Sequence, residues 1–118
     1  MKLTDIAREL RLKNLTPEIA ADDSADITGG YASDLLSDVL PHAPHGGVLV
    51  TVQVHMNVIA VAAVYAELAA VIFTLGRQPD EDVRQKAVEE GVVLYGTDEP
   101  TFDIAGKLYA LGLRGTSE

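Results

Sequence analysis

An alternation of buried-strand and helix patterns, joined by short links, constrains this chain most. Val48–Gln53, Ala70–Thr74 and Val92–Tyr95 are short apolar runs rich in β-branched residues, which is how strands buried on both faces read. Apolar spacing predicts a helix over Val58–Leu68, with Asn57 as its cap. A second helix opens at Pro79-Asp80-Glu81-Asp82, turns Val83, Ala87 and Val88 inward, and stops at Gly91. A third starts at Glu99-Pro100, turns Phe102, Ala105, Leu108 and Tyr109 inward, and stops at Gly112. A β-α-β-α-β-α order implies a mostly parallel sheet with right-handed crossovers and helices on its faces, an α/β fold.

The first half is less regular. Leu3, Ile6, Ala7 and Leu10 predict a short amphipathic helix, with Thr4 as its cap. Lys13–Pro17 reads as a short strand or turn, Glu18–Ala25 as a polar loop and Ile27–Tyr31 as a strand. Ser33-Asp34 is a helix start with an apolar stripe of Ala32, Leu35, Leu36, Val39 and Leu40, and Pro41 and Pro44 end that helix. The 118 residues make one domain, 1–118, expected to fray at 1–2 and 115–118.

Charge and composition narrow the function classes. A formal charge of −9 argues against binding nucleic acid or anionic lipid through bulk charge. The charge is uneven: residues 1–15 carry four bases and two acids, whereas residues 16–40 carry six acids and no base. The acidic group around Asp22, Asp23, Asp26, Asp34 and Asp38 reads as a solvated face, and a protein partner meeting it would present a basic surface. With no cysteine, disulfides and thiolate metal sites are excluded. The most apolar stretch, Val48–Phe73, is interrupted by Gln53, His55, Asn57 and Glu67, so no membrane span is expected. No targeting segment is expected either, and a cytoplasmic setting fits.

In open parallel sheets, ligands bind beyond the carboxyl ends of the strands. That edge gathers Ser33 and Asp34, then Gln53, His55 and Asn57, then Thr74, Gly76 and Arg77, then Gly96, Thr97 and Asp98. Such an edge suits a small anion or a nucleotide phosphate. Gln53-Val54-His55-Met56-Asn57 is the most unusual local feature, because alternation puts its three polar side chains on one side. They are either a ligand contact through His55 or a structural network in which Asn57 caps the helix. His42-Ala43-Pro44-His45 reads as a solvated turn rather than a metal pair. The chain has no Gly-x-x-x-x-Gly-Lys-[Ser/Thr], Gly-x-Gly-x-x-Gly, His-Glu-x-x-His or Gly-x-Ser-x-Gly motif.

Asp26-Ile27-Thr28-Gly29-Gly30, the block Tyr31–Leu40 and Thr51-x-Gln53-x-His55-x-Asn57 together resemble the DRTGG domain family. Gly76–Asp80 and Phe102–Tyr109 extend the resemblance over about Leu3–Leu113. Ile27 stands where the family signature has arginine, so an isoleucine suited to burial replaces a guanidinium. The resemblance implies a three-layer α/β/α domain similar to the amino-terminal domain of HPr kinase/phosphorylase. It also implies an accessory role: related domains occur as inserts in CBS-domain pyrophosphatases and in some phosphotransacetylases, and stand-alone members occur in hydrogenase settings. A kinase role has no phosphate loop here to carry it.

The expected function is therefore a non-catalytic regulatory or assembly module acting by protein association. The alternative is a sensor of a nucleotide or phosphometabolite. Its candidate ligand-binding residues are Thr28, Gly29, Gly30, Ser33, Asp34, Gln53, His55, Asn57, Arg77 and Thr97. No cofactor or metal site is expected. A homodimer or higher oligomer is expected through an apolar helix face at Ala60–Val64.

Overall fold

A computed structural model of the chain describes residues 1–115, and the expectation that the last residues fray falls largely outside them. Strands β1 (Lys13–Asn14), β2 (Gly30–Ala32), β3 (Val48–Thr51), β4 (Ala70–Phe73) and β5 (Val93–Gly96) form one sheet in the order β1-β5-β4-β3-β2. Strands β2 to β5 are parallel, and only β1 runs antiparallel, against β5. The expected α/β fold is what forms.

Side chains alternate strictly across the central strands. Leu49, Val71, Phe73 and Leu94 enter one core with Val39, Val58, Ile59, Ala62, Val83 and Ala87. These come from α2 (Leu36–His42), α3 (Met56–Ala60) with its continuation, and α4 (Glu81–Glu90). Val48, Val50, Ala70, Ile72 and Tyr95 enter the other core, against α1 (Leu3–Glu9) and α5 (Thr101–Ala110), through Leu3, Ile6, Ile104 and Leu108. Two covered faces make three layers.

Helix α4 matches its sequence signals closely. Asp80 is extended at the N-cap and accepts a 3.1 Å hydrogen bond from the Val83 N–H, and Gly91 ends the helix at φ 72°. Other local expectations fail for identifiable reasons. Thr4 does not cap α1: its N–H and hydroxyl both donate to the Asp23 carboxylate, so a distant loop satisfies that end. Ser33 and Asp34 lie before α2, which starts two residues later at Leu36. Their side chains are engaged elsewhere, Ser33 Oγ accepting from the Leu35 N–H and Asp34 bonding to the end of β3. Pro41 sits inside α2, one residue from its end, rather than stopping it. Leu35, placed on the apolar stripe, is 63% exposed.

Asn57 is not a cap either. Helix α3 starts at Met56, with His55 extended before it, and Val61–Tyr65 continues it as a π-helical segment. The wider turn, with Ala66 N–H donating to Val61 O at 2.9 Å, keeps Ala66 buried and throws Val64 and Tyr65 outward. In α5 the i, i+4 pair Ile104 and Leu108 takes the core, and Phe102, expected inward, is 87% exposed. Tyr109 is also exposed, and its ring lies beneath the Arg114 guanidinium at 3.7 Å.

Residues 15–29 form no strand or helix of any length, yet side chains pin them at every few residues. Thr16 Oγ1 accepts the buried Leu94 N–H, supplying a bond the short β1 cannot. Arg84 holds Leu15 O at 3.2 Å and Glu18 at 2.8 Å while also clamping Glu81. Asp22 accepts from the Ser24 N–H, Asp23 from Thr4, and Asp26 pairs with Lys2 at 3.2 Å. The Ile27 N–H donates to Met1 O at 2.7 Å, which joins residue 1 to this segment. The acidic face is exposed, but its carboxylates are also structural.

Hydrogen bonds from Arg84 hold Glu18 and Glu81 below the ordinary carboxylate range, and Lys2 and Ser24 do the same for Asp26 and Asp22. A depressed folded-state value means stabilisation that is present at neutral pH and lost as pH falls through that value. The urea midpoint should therefore decline below about pH 4. The decline should be shallower in Arg84→Met, where Glu18 and Glu81 lose the largest cause of their depression, and equal acid slopes would contradict the account. Glycine geometry makes a second prediction. A Cβ on Gly47 would lie 2.7 Å from Gly29 O and 2.9 Å from Pro44 O, whereas one on Gly106 meets nothing within 4 Å. Gly47→Ala should cost about 1–3 kcal/mol in urea unfolding. Gly106→Ala, in the exposed interior of α5, should add about 1 kcal/mol.

Candidate functional site

The ten sequence-predicted site residues do not converge. Thr28, Gly29 and Gly30 lie at the amino end of β2, while the other seven lie at or beyond the carboxyl ends of the parallel strands. One site cannot contain both sets.

At the amino end, a broad groove of about 840 Å³ is lined by Thr28, Gly29, Tyr31, His42, His45 and Arg114, among others. Its glycine is there for packing. A Cβ on Gly29 would meet Pro44 Cγ at 2.6 Å, where the chain entering β2 passes the turn before β3. The Gly29 carbonyl accepts the Val48 N–H, and the Gly30 N–H donates to Arg114 O. Tyr31 donates its hydroxyl to Asp38 at 2.8 Å, and this bond to a carboxylate raises the phenol's pKa. His42 stacks on the Tyr31 ring and places Nδ1 3.2 Å from Asp38 Oδ1. His45 Nδ1 lies 3.5 Å from Glu67. The two histidines are thus exposed, His42 at the end of α2 and His45 in the turn before β3, with separate carboxylate neighbours. Among the described residues no group of three or more His, Asp or Glu side chains is placed to hold a metal ion.

At the carboxyl end, most predicted residues have structural work. Asp34 Oδ1 accepts from the Thr51 hydroxyl and from the Val52 N–H, both at 2.9 Å, closing the end of β3. Thr51 Oγ1 accepts the Gln53 N–H. Because β3 ends at Thr51, alternation does not carry through to Asn57, and the Gln53, His55 and Asn57 side chains do not gather. His55 lines a recess with Gln78, Asp80 and Asp82, while Asn57 lines another with Ala60, Val64 and Lys86.

Arg77 and Thr97 do share a site. A cleft of about 270 Å³ opens at the ends of β4 and β5, lined by Arg11, Lys13, Gly76, Arg77, Gly96 and Thr97, with Leu15, Gln78, Asp98 and Glu99 completing it. The loop after β4 turns through two left-handed residues, Leu75 at φ 58° and Gly76 at φ 67°. Leu75 N–H donates to Glu99 O and Gly76 N–H to Thr97 O, locking this loop to the one after β5. Thr97 Oγ1 accepts the Glu99 N–H, and Thr74 and Thr101 share a 2.6 Å hydroxyl bond behind it. The antiparallel pairing of β1 sets Lys13 opposite Gly96 and closes the cleft's outer wall. Arg11 comes from the turn between α1 and β1, itself left-handed at φ 54°.

Sequence reasoning missed Arg11 and Lys13. They are more than 60 residues from Arg77, and no local pattern announces that β1 will add to the far edge of the sheet. The available signal was the concentration of four bases in residues 1–15 of an otherwise acidic chain.

No family model matches the chain, and no curated protein matches it. A solved structure does resemble it: the CBS and DRTGG domains of the regulatory region of Clostridium perfringens pyrophosphatase, complexed with the activator diadenosine tetraphosphate. The TM-score is 0.65 at 12% identity, over 89% of this chain and 44% of that one. The present chain therefore spans less than half of that structure, and at this identity the likeness shows a related domain fold. Among the described residues no helix is long and apolar enough to cross a membrane.

Proposed function

We propose that this chain is a non-catalytic regulatory domain that responds to a small ligand bound at the carboxyl edge of its sheet. The observation that carries this reading is the cleft at the ends of β4 and β5. It lies where open parallel sheets take ligands, and Gly76 and Gly96 let the Asp98 and Leu15 side chains pack close against its floor. Left-handed backbone at Arg11 and Leu75 beside the cleft fits a site whose geometry is held by its surroundings. The likeness to a regulatory region solved with a nucleotide activator supports the same class of role. The chain has no phosphate loop, which fits a domain that senses rather than transfers a phosphoryl group.

A second reading, association with another copy of the chain, draws on the π-helical segment. Val64 is 65% and Tyr65 62% exposed there, next to partly exposed Met56, an apolar surface that the monomer leaves uncovered.

A thermal-shift panel tests the first reading. It should contain nucleotides, acyl phosphates and inorganic phosphates, together with uncharged nucleosides and sugars. A member present at 100 times its Kd should add about 2.7 kcal/mol, roughly 10 °C in a domain of this size. A panel in which no member moves the midpoint would count against ligand sensing and leave the association reading in its place.

A further inference from the structure

The proposal concerns the chemistry that the cleft selects, and it rests on the ligand-sensing reading above. The chain has nine lysines and arginines against 18 acids, so ion-pair partners are abundant. Five of the nine are paired: Lys2 with Asp26, Arg8 with Asp5, Arg84 with Glu18 and Glu81, Lys86 with Glu90, and Lys107 with Glu99. Among the described residues the remaining four make no ion pair. Arg114 is one of them, and its guanidinium lies over the Tyr109 ring and donates to two backbone carbonyls. The other three are Arg11, Lys13 and Arg77, and all three line the cleft.

On a surface with two acids for every base, random placement would neutralise cations first. Here two segments more than 60 positions apart in sequence, 11–13 and the loop holding Arg77, bring cations that make no ion pair among the described residues to one concavity. The carboxylates facing them are Asp98 and Glu99. Glu99 is already held by Lys107, and Asp98 leans over Gly76, 3.1 Å from where a Cβ would stand. The unpaired groups facing the cleft are thus three cations and one carboxylate. Like charges gathered in this way repel, and a multiply charged anion would relieve that repulsion.

We infer that Arg11, Lys13 and Arg77 form a binding site for a phosphate-type anion of two or more negative charges. The two guanidiniums offer forked donors to oxyanion oxygens, and Lys13 adds a point charge. The volume sets the size. At about 270 Å³ the cleft is just below the roughly 300–1,000 Å³ range of pockets that enclose drug-sized ligands. It fits a diphosphate group, either free or as the charged end of a larger ester that extends into solvent.

Isothermal titration of the intact chain with pyrophosphate, and separately with ADP, tests this. Arg11→Ala, Lys13→Ala and Arg77→Ala alter exposed side chains, and far-ultraviolet circular dichroism checks that each variant folds. Each should weaken pyrophosphate binding by roughly tenfold or more. Arg114→Ala and Lys86→Ala should change it less than twofold, and added salt should weaken it in the parent chain. Pyrophosphate and ADP binding with equal affinity identifies the free diphosphate as sufficient, while tighter ADP binding identifies an ester that reaches beyond the cleft. Binding that is indifferent to the three cations, or abolished by Arg114→Ala, overturns the site. If uncharged members of the thermal panel shift the midpoint while pyrophosphate and ADP do not bind, ligand sensing survives and the anion site is wrong. If nothing binds, both fail.

Discussion

Burial of the three central strands on both faces is the constraint from which the rest follows. Leu49, Val71, Phe73 and Leu94 point into one core, and Val48, Val50, Ala70 and Ile72 into the other, all essentially inaccessible to water. A sheet sealed on both sides has no polar face to offer a ligand. Functional side chains are left to the strand ends, and a parallel sheet distinguishes its two ends. At the amino end, Gly29, Pro44 and Gly47 pack closely beside a broad groove whose Tyr31, His42 and His45 side chains already have carboxylate neighbours. At the carboxyl end, the cleft at the ends of β4 and β5 gathers Arg11, Lys13 and Arg77.

The one antiparallel strand completes that cleft. β1 is only two residues long, and without Thr16, Asn14 and Arg84 bonding around it such a strand has little to hold it. Acidic side chains of the loop that follows lock to Arg84, Lys2 and Thr4. The net charge of −9 is therefore partly consumed in fixing an irregular segment, and the fixed segment in turn holds Lys13 against the far edge. Charge here acts through local pairing rather than through a bulk field.

Features encoded by neighbouring residues were legible in the sequence. The strands at Val48, Ala70 and Val93 show as β-branched runs, and α4 shows through Asp80 and Gly91, because each signal lies within a few residues of its effect. Features decided by long-range competition were not. Asp34 looks like a helix opener until Thr51 and Val52 claim its carboxylate. Asn57 looks like a cap until α3 begins one residue earlier, and Phe102 looks like core until Ile104 and Leu108 take the sheet. Of the candidate site, Arg77 and Thr97 were legible from the strand-end rule, whereas Arg11 and Lys13 required the position of β1. Thr28, Gly29 and Gly30 stood out as a motif, yet the space around Gly29 gives that glycine a packing reason at the opposite end of the sheet.

Amide chemical-shift mapping on the isotopically labelled chain, titrated with pyrophosphate, tests most directly whether the carboxyl edge is the functional end. The account predicts that saturable shifts concentrate at 11–13, 76–78 and 96–99, the three segments that wall the cleft. Shifts concentrated instead at 28–31 and 42–45, around the groove at the amino end of β2, would contradict it.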